Sequence, residues 1–266
     1  MSRRALCAAA LVLAPGACNL VFPLDGFHAG DAQVTDAAVD GDWCASQEAG
    51  LLLCSDFDQP GSVKQGFDMG FVGNGADSSF TQTPEHVSSP NGAMGVANAF
   101  DAGEMAGARL EGTLWQLGPE STHRTLDCQL QWYPVALSPI PGDYAIVLEI
   151  GFWSDTGETN SISALRIELH SDGGLLFTES GAMSQMIMIP VPVMPSSVWL
   201  PIEVSLTLSS SPTYHVQVSD FDASGTLVNP IGPASHAMLE IGPYCTGMTT
   251  EPSPGWTFDY DNVTCR

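Results

Sequence analysis

Near the end of this 266-residue chain, WTFDYDNVTCR (residues 256–266) carries Asp259 and Asp261 two positions apart. In an extended strand, side chains two apart share a face, so these carboxylates stand about 7 Å apart. Trp256, Phe258 and Tyr260 take the opposite face, towards a core. Two carboxylates hold a calcium ion only when further oxygens join them. Asp56 and Asp58, also two apart, supply those oxygens if the first and last strands are neighbours. The four aspartates are therefore a candidate calcium site. The plainer reading, in which they are solvated or cap turns through backbone N–H groups, leads.

Other chemistry-bearing residues are weaker signals. Met183, Met186, Met188 and Met194 cluster in GAMSQMIMIPVPVMP (181–195). Thioethers suit copper(I), but no His or Cys accompanies them, so adaptable filling against a sheet is the favoured role. The six histidines are dispersed, and no nucleophile elbow, phosphate loop or dinucleotide fingerprint is present. Trp115, Trp132, Tyr133 and Trp153 can stack on sugars if exposed, although a buried core accounts for most of them.

The composition bounds the partners. Seven Lys+Arg face thirty Asp+Glu, a formal charge of -23, and 44% of residues are hydrophobic. Nucleic acid and anionic membrane surfaces need Lys or Arg to neutralise phosphates, so both are excluded as partners. A neutral glycan fits the charge better than an acidic one.

At the N-terminus, Arg3 and Arg4 precede the apolar stretch ALCAAALVLAPGA (5–17), which has the charge and length of a secretory leader. The following PGAC, ending at Cys18, resembles the lipobox of bacterial lipoproteins. That resemblance implies a signal peptide over 1–17, lipidation of Cys18 and an outer-membrane or cell-surface location reached only through a lipid anchor. A cleaved, soluble secreted protein remains the alternative. Residues 18–42, rich in Ala, Asp and Gly, read as a flexible acidic tether, and 43–266 as one folded domain.

Export permits disulfides. Cys44, Cys54, Cys128, Cys245 and Cys265 lie within 43–266, an odd number that leaves one outside any pair formed within the chain. Cys44 with Cys54 is the first expected bridge. Cys245 with Cys265 is the second, and pairing Cys128 with either of these two stays open.

The elements that must position these residues are strands. Leu126, Cys128, Leu130 and Trp132 alternate with Thr125, Asp127, Gln129 and Gln131, a half-buried strand. Similar alternation occurs over 144–153, 161–169, 174–179, 200–208, 213–220, 238–242 and 256–265. Short strands, 27 Gly and 19 Pro point to an all-β, antiparallel two-sheet sandwich.

WLPIEVSLTLSSSPTYHVQVSDFDASG (199–225), a Trp-initiated hairpin, is similar to hairpins of concanavalin A-like jelly rolls of the laminin-G and lectin/glucanase type. CSDFDQPG (54–61), SSPNGAMGV (88–96) and WTFDYDNVTC resemble the opening, early and closing strands of those domains. The resemblance implies a jelly roll that binds glycan on its concave sheet. Glucanases of that group carry an E-x-D-x-x-E strand whose carboxylates face each other. Here Glu149 with Asp155 and Glu168 with Asp172 are isolated, so a non-catalytic glycan-binding module is the leading expectation. A divergent polysaccharide hydrolase or lyase and a purely structural envelope lipoprotein are the alternatives. The lipobox reading predicts that mass spectrometry of the membrane fraction finds Cys18 acylated and first in the mature chain; an unmodified chain with no acyl groups removes the anchor.

Overall fold

The alternating segments become strands because each has one apolar face to bury and one polar face to solvate. The computed structural model describes residues 43–47, 49–57, 66–72, 78–83, 85, 93–97, 107–116, 125–153, 163–181, 184–190, 198–229, 231, 236–244 and 255–266. The expectations for the signal peptide, Cys18 and the tether lie outside these residues, as do Asp58, Met183, Met194 and Cys245.

The first sheet contains β1 (Leu53–Ser55), β3 (Ser79–Gln82), β4 (Ala93–Ala97), β6 (Thr125–Ala136), β11 (Leu200–Thr207), β12 (Thr213–Val218), β13 (Phe221–Thr226) and β15 (Trp256–Cys265). Its order is β13-β12-β11-β6-β15-β4-β3, with β1 also pairing β15. The second contains β2 (Met69–Val72), β5 (Ala108–Gln116), β7 (Tyr144–Trp153), β8 (Ser163–His170), β9 (Leu175–Ser180), β10 (Gln185–Ile189) and β14 (His236–Tyr244). Its order is β10-β9-β8-β7-β14-β5-β2. Neighbouring strands within each sheet are antiparallel, and a short helix, α1 (Trp43–Ser46), precedes β1. The result is a jelly-roll sandwich, the expected fold.

The inward faces meet as the alternation requires. Leu126, Leu130 and Trp132 of β6 lie beside Leu200, Ile202, Val204 and Leu206 of β11, all buried. From the second sheet, Leu148, Ile150, Leu165, Ile167 and Ile241 join the same core. Trp132 meets Phe258 edge-on at 5.4 Å. The Tyr260 hydroxyl donates to the Val147 carbonyl at 2.9 Å, a bond from one sheet to the other.

Two irregularities shape the second sheet. The β7–β8 register slips between Ile146 and Leu148, leaving Val147 as an extra residue. The β14–β7 register slips between Ile241 and Tyr244. At this second bulge Gly242 has φ +140°, and a Cβ there would run into the Ala108 carbonyl oxygen. Only glycine tolerates that backbone and that approach. Bulges of this kind re-aim the side chains that follow them.

Cys44 and Cys54 are bridged. The expected Cys245–Cys265 pair is replaced by Cys128–Cys265. The reason is register: β6 and β15 are neighbours, and Cys128 stands directly opposite Cys265. Tyr244, the residue before Cys245, belongs to the other sheet. Met186 and Met188, expected as core filler, point outward from β10 at 73% exposure each; Ile187 and Ile189 take the inward positions.

The Cys128–Cys265 bridge spans 137 residues, and closing a loop of that size stabilises by on the order of 4–5 kcal/mol in the chain-entropy treatment. Replacing both cysteines by serine is expected to lower the Tm by many degrees. Peptide mapping without reduction should recover Cys128 and Cys265 in one linked species; a Cys245–Cys265 species contradicts the register.

Candidate functional site

The aspartates that sequence reasoning singled out are not on a solvated face. Asp56 and Asp261 are 0% exposed and Asp259 is 1%. Asp56 Oδ2 accepts from the Cys44 backbone N–H at 3.1 Å, anchoring α1 to β1, and Asp261 Oδ1 accepts from Asn262 N–H at 2.8 Å. Asp56 and Asp261 thus satisfy backbone donors, as in the turn-capping reading, but under cover and not in solvent. Among the described residues, no three His, Cys, Asp or Glu side chains gather to hold a metal ion.

The concentration of charge lies on the outward face of the second sheet. Glu111 of β5, Glu240 of β14 and Glu149 of β7 stand directly opposite one another, and Arg166 of β8 and Thr178 of β9 continue the row. Arg109, two residues before Glu111, shares its face. The three glutamates are 6–8% exposed. Like charges placed directly opposite are destabilising, and burial adds a desolvation cost, so this row persists only with compensating cations. Arg166 supplies one, with Nε 2.7 Å from Glu149 Oε2 and Nη2 3.3 Å from Oε1. Arg109 supplies the other, with Nε 2.6 Å from Glu111 Oε1 and Nη1 3.1 Å from Glu240 Oε2.

Tyr244 sits at the centre, carried onto this face by the β14 bulge. Its hydroxyl donates to Glu149 Oε2 at 2.8 Å and is also hydrogen-bonded to Glu240. The Arg109 guanidinium lies 5.1 Å from its ring centroid. Burial pushes Glu240 up to about 7 against the pull of Arg109 and of the Tyr244 hydrogen bond, with the Glu149 and Glu111 charges adding to the rise. Burial, then the Glu149 and Glu240 charges, hold the Tyr244 hydroxyl well above its usual pKa, so it is a firmly protonated donor at neutral pH. Burial disfavours the charge on both guanidiniums, yet the carboxylates around them outweigh it and raise both. Glu240, Tyr244 and Glu149 thus form a line of ionisable groups framed by two guanidiniums. Such a line suits acid–base work on a bond laid across it.

Of the carboxylates noted in the sequence, Glu149 belongs to this site. Asp172 caps a turn, accepting from Gly174 N–H at 2.9 Å, and Asp155 lies outside the described residues. Arg109, Glu111, Glu240 and Tyr244 were missed. The alternation Arg109, Glu111, Thr113 against Leu110, Gly112, Leu114 was the available signal for β5. Nothing local marks Tyr244, whose place depends on the bulge. On the first sheet's outward face, a hollow of about 440 Å³ lined by Asp127, Ser205, Thr207, His215 and Ser224 has one exposed pair, His215 Nε2 to Asp222 Oδ2 at 3.0 Å, and no buried charge.

No known family profile and no curated protein matches this sequence. Solved structures do share its fold. An endo-β-1,4-glucuronan lyase from the fungus Trichoderma reesei superposes with a TM-score of 0.60 at 7% identity, over 81% of this chain and 95% of that one. An alginate lyase from a Chlorella virus gives 0.50 at 11% identity, over 82% and 99%. An alginate lyase in complex with an alginate trisaccharide gives 0.52 at 10% identity, over 80% and 97%. Likeness at these identities establishes the jelly roll and nothing finer.

The raised pKa of Glu240 has a pH signature. Below about pH 4.5 its carboxyl is protonated in both folded and unfolded chains; between there and about 7 only the folded chain holds the proton. Stability from this group is therefore present at acid pH and lost as pH rises through that window, on the order of 3 kcal/mol. Glu240→Gln, which stays neutral at every pH, is expected to gain Tm relative to the parent between pH 5 and pH 8. A difference that stays flat across that range refutes the assignment.

Proposed function

We propose that this chain is a polysaccharide-degrading enzyme that cleaves a uronate-containing polymer by β-elimination at Tyr244. The single observation that carries the reading is the Tyr244 hydroxyl set between Glu149 and Glu240, with Arg109 and Arg166 on either side. That it occurs in a jelly roll like those of solved alginate and glucuronan lyases supports it.

Elimination needs three things, and these residues supply each. A uronate carboxylate must be neutralised so that the neighbouring C5–H becomes acidic, and an arginine does this; Arg166 keeps a side chain 22% exposed and Arg109 25%. A base must take the C5 proton, and a carboxylate with a pKa of about 7, Glu240, is matched to neutral pH. The electrons of the C5–H bond form C4=C5, the C4–O bond breaks, and the leaving oxygen takes the Tyr244 proton. Glu240 then returns the C5 proton to Tyr244 along their hydrogen bond. The cycle balances: one proton moves from C5 to the leaving oxygen, and the protein ends as it began.

The net charge of -23 favours a neutral polymer at long range. Screening confines each charge to about 8 Å at physiological salt, so the approach of a uronate is set within the site, where Arg109 and Arg166 must exchange a glutamate partner for the substrate carboxylate. A second reading, the non-catalytic glycan module, has one observation in its favour: both arginines already bind carboxylates of the protein itself. An exported chain anchored at Cys18 would meet such polymers outside the cell under either reading.

The test is to incubate the chain with glucuronan and alginate and follow absorbance from the new C4=C5 bond. Unsaturated products, lost by roughly 10²–10⁴ in Tyr244→Phe with binding retained, are expected. Binding without products supports the module, and neither binding nor products removes both readings.

A further inference from the structure

The same outward face continues along β8 beyond Arg166. Glu168 and His170 follow at two-residue intervals and so project from the same side. Thr178 Oγ1 donates to Glu168 Oε1 at 2.9 Å, fixing one carboxylate oxygen. The other, Oε2, lies 3.8 Å from His170 Nε2. That separation is too long for a direct hydrogen bond, and His170 Nε2 is shielded without a hydrogen-bond partner. The Tyr144 ring, directly opposite on β7, stacks on the imidazole with centroids 5.5 Å apart and planes 23° apart.

This cluster is held rigidly. His170 N–H donates to Gly174 O at 2.8 Å, Gly173 N–H to His170 O at 2.9 Å, and Ser171 N–H to Asp143 O at 2.9 Å. Gly142 N–H donates to Ser171 Oγ at 3.1 Å, so the two turns that carry Tyr144 and His170 brace each other. A carboxylate oxygen and a covered imidazole nitrogen kept just beyond bonding distance, backed by a ring, make a poor internal contact. They make a good receptor for a hydroxyl, which can donate to the carboxylate and pair with the ring nitrogen at once. A row of packed strands places such groups more exactly than a loop does.

We propose that Glu168 and His170, with Tyr144 behind them, form a subsite that binds a ring hydroxyl of a second sugar along the same polymer. Glu168 lies roughly 7 Å and His170 roughly 13 Å from Arg166 along β8, which separates this contact from the reacting bond and places it on a neighbouring unit. The ligand class is the hydroxyl-bearing pyranose of the polysaccharide, and the polymer runs with a component along β8. This inference rests on the glycan reading of the Tyr244 site, which the measurement tests separately.

The measurement uses the full chain and a ladder of oligouronates from disaccharide to octasaccharide, comparing Glu168→Gln and His170→Ala with the parent. Glu168→Gln is nearly isosteric and keeps a Thr178 partner, so it reports even if His170→Ala folds poorly. Losing a hydrogen bond to a charged group is expected to raise KM about tenfold for the long oligomers. The kcat should stay close to the parent's, and the shortest substrates should show no change. If the parent binds without cleaving, Kd on the same ladder carries the same expectation. A KM that is unmoved at every length, or a kcat that falls equally for short and long oligomers, overturns the subsite while leaving the Tyr244 reading in place. A parent chain that neither binds nor cleaves any oligomer overturns both.

Discussion

The Tyr260 hydroxyl bonded to the Val147 carbonyl crosses from one sheet to the other, and the remainder of the sandwich is arranged around that join. Trp256, Phe258 and Tyr260 share one face of β15 and are all buried, packed on Trp132 and on one another. Burying side chains of this size contributes on the order of 2–3 kcal/mol each. Their strand is flanked by β6 on one side and by β4 and β1 on the other, so shifting it by one residue would turn all three rings out of the core. The register of β15 is fixed by that penalty, and Cys128 and Cys265 are brought face to face as a consequence.

The carbonyl that receives Tyr260 belongs to the bulged residue of β7, and the same irregularity serves the outward face. Ile146 is opposite Glu168, and Leu148 is opposite Ile167. The extra residue between them lets Val147 point inward to meet Tyr260 while its neighbours keep the outer row in line. The β14 bulge at Gly242 acts in a similar way for Tyr244. Core packing and site geometry are therefore coupled through two short irregular segments. The charged row is costly on its own, with three carboxylates side by side under partial cover. Two guanidiniums and a shared phenol compensate for it, and breaking any one contact leaves a buried charge without its partner.

The two outward faces differ in kind. The first sheet turns out hydroxyls, amides and a loose His215–Asp222 pair, a surface that water satisfies without help. The second sheet turns out a linked set of ionisable groups whose pKa values are pushed apart, with Glu240 near neutrality and Tyr244 kept protonated. Such a set is expensive as mere surface and useful as chemistry. That contrast moves the weight from a passive glycan-binding module to a glycan-cleaving one, although the sequence lacks the paired-carboxylate strand of the glucanases.

The sequence by itself determined the all-β class, most of the long strands and which face of each is buried, because period-two alternation records a local choice between core and water. It also carried the Cys44–Cys54 bridge, whose partners are close along the chain. Only the tertiary structure decided that Asp259 and Asp261 are enclosed, since alternation separates the two faces of a strand without saying what covers the second one. It alone brought Cys128 to Cys265 and aligned Glu111, Glu240 and Glu149, residues from three strands far apart in the chain. Alternation says which way a side chain points but nothing about which strand will lie beside it. The site is made of strand neighbours, and that is why it was invisible until the sheets closed.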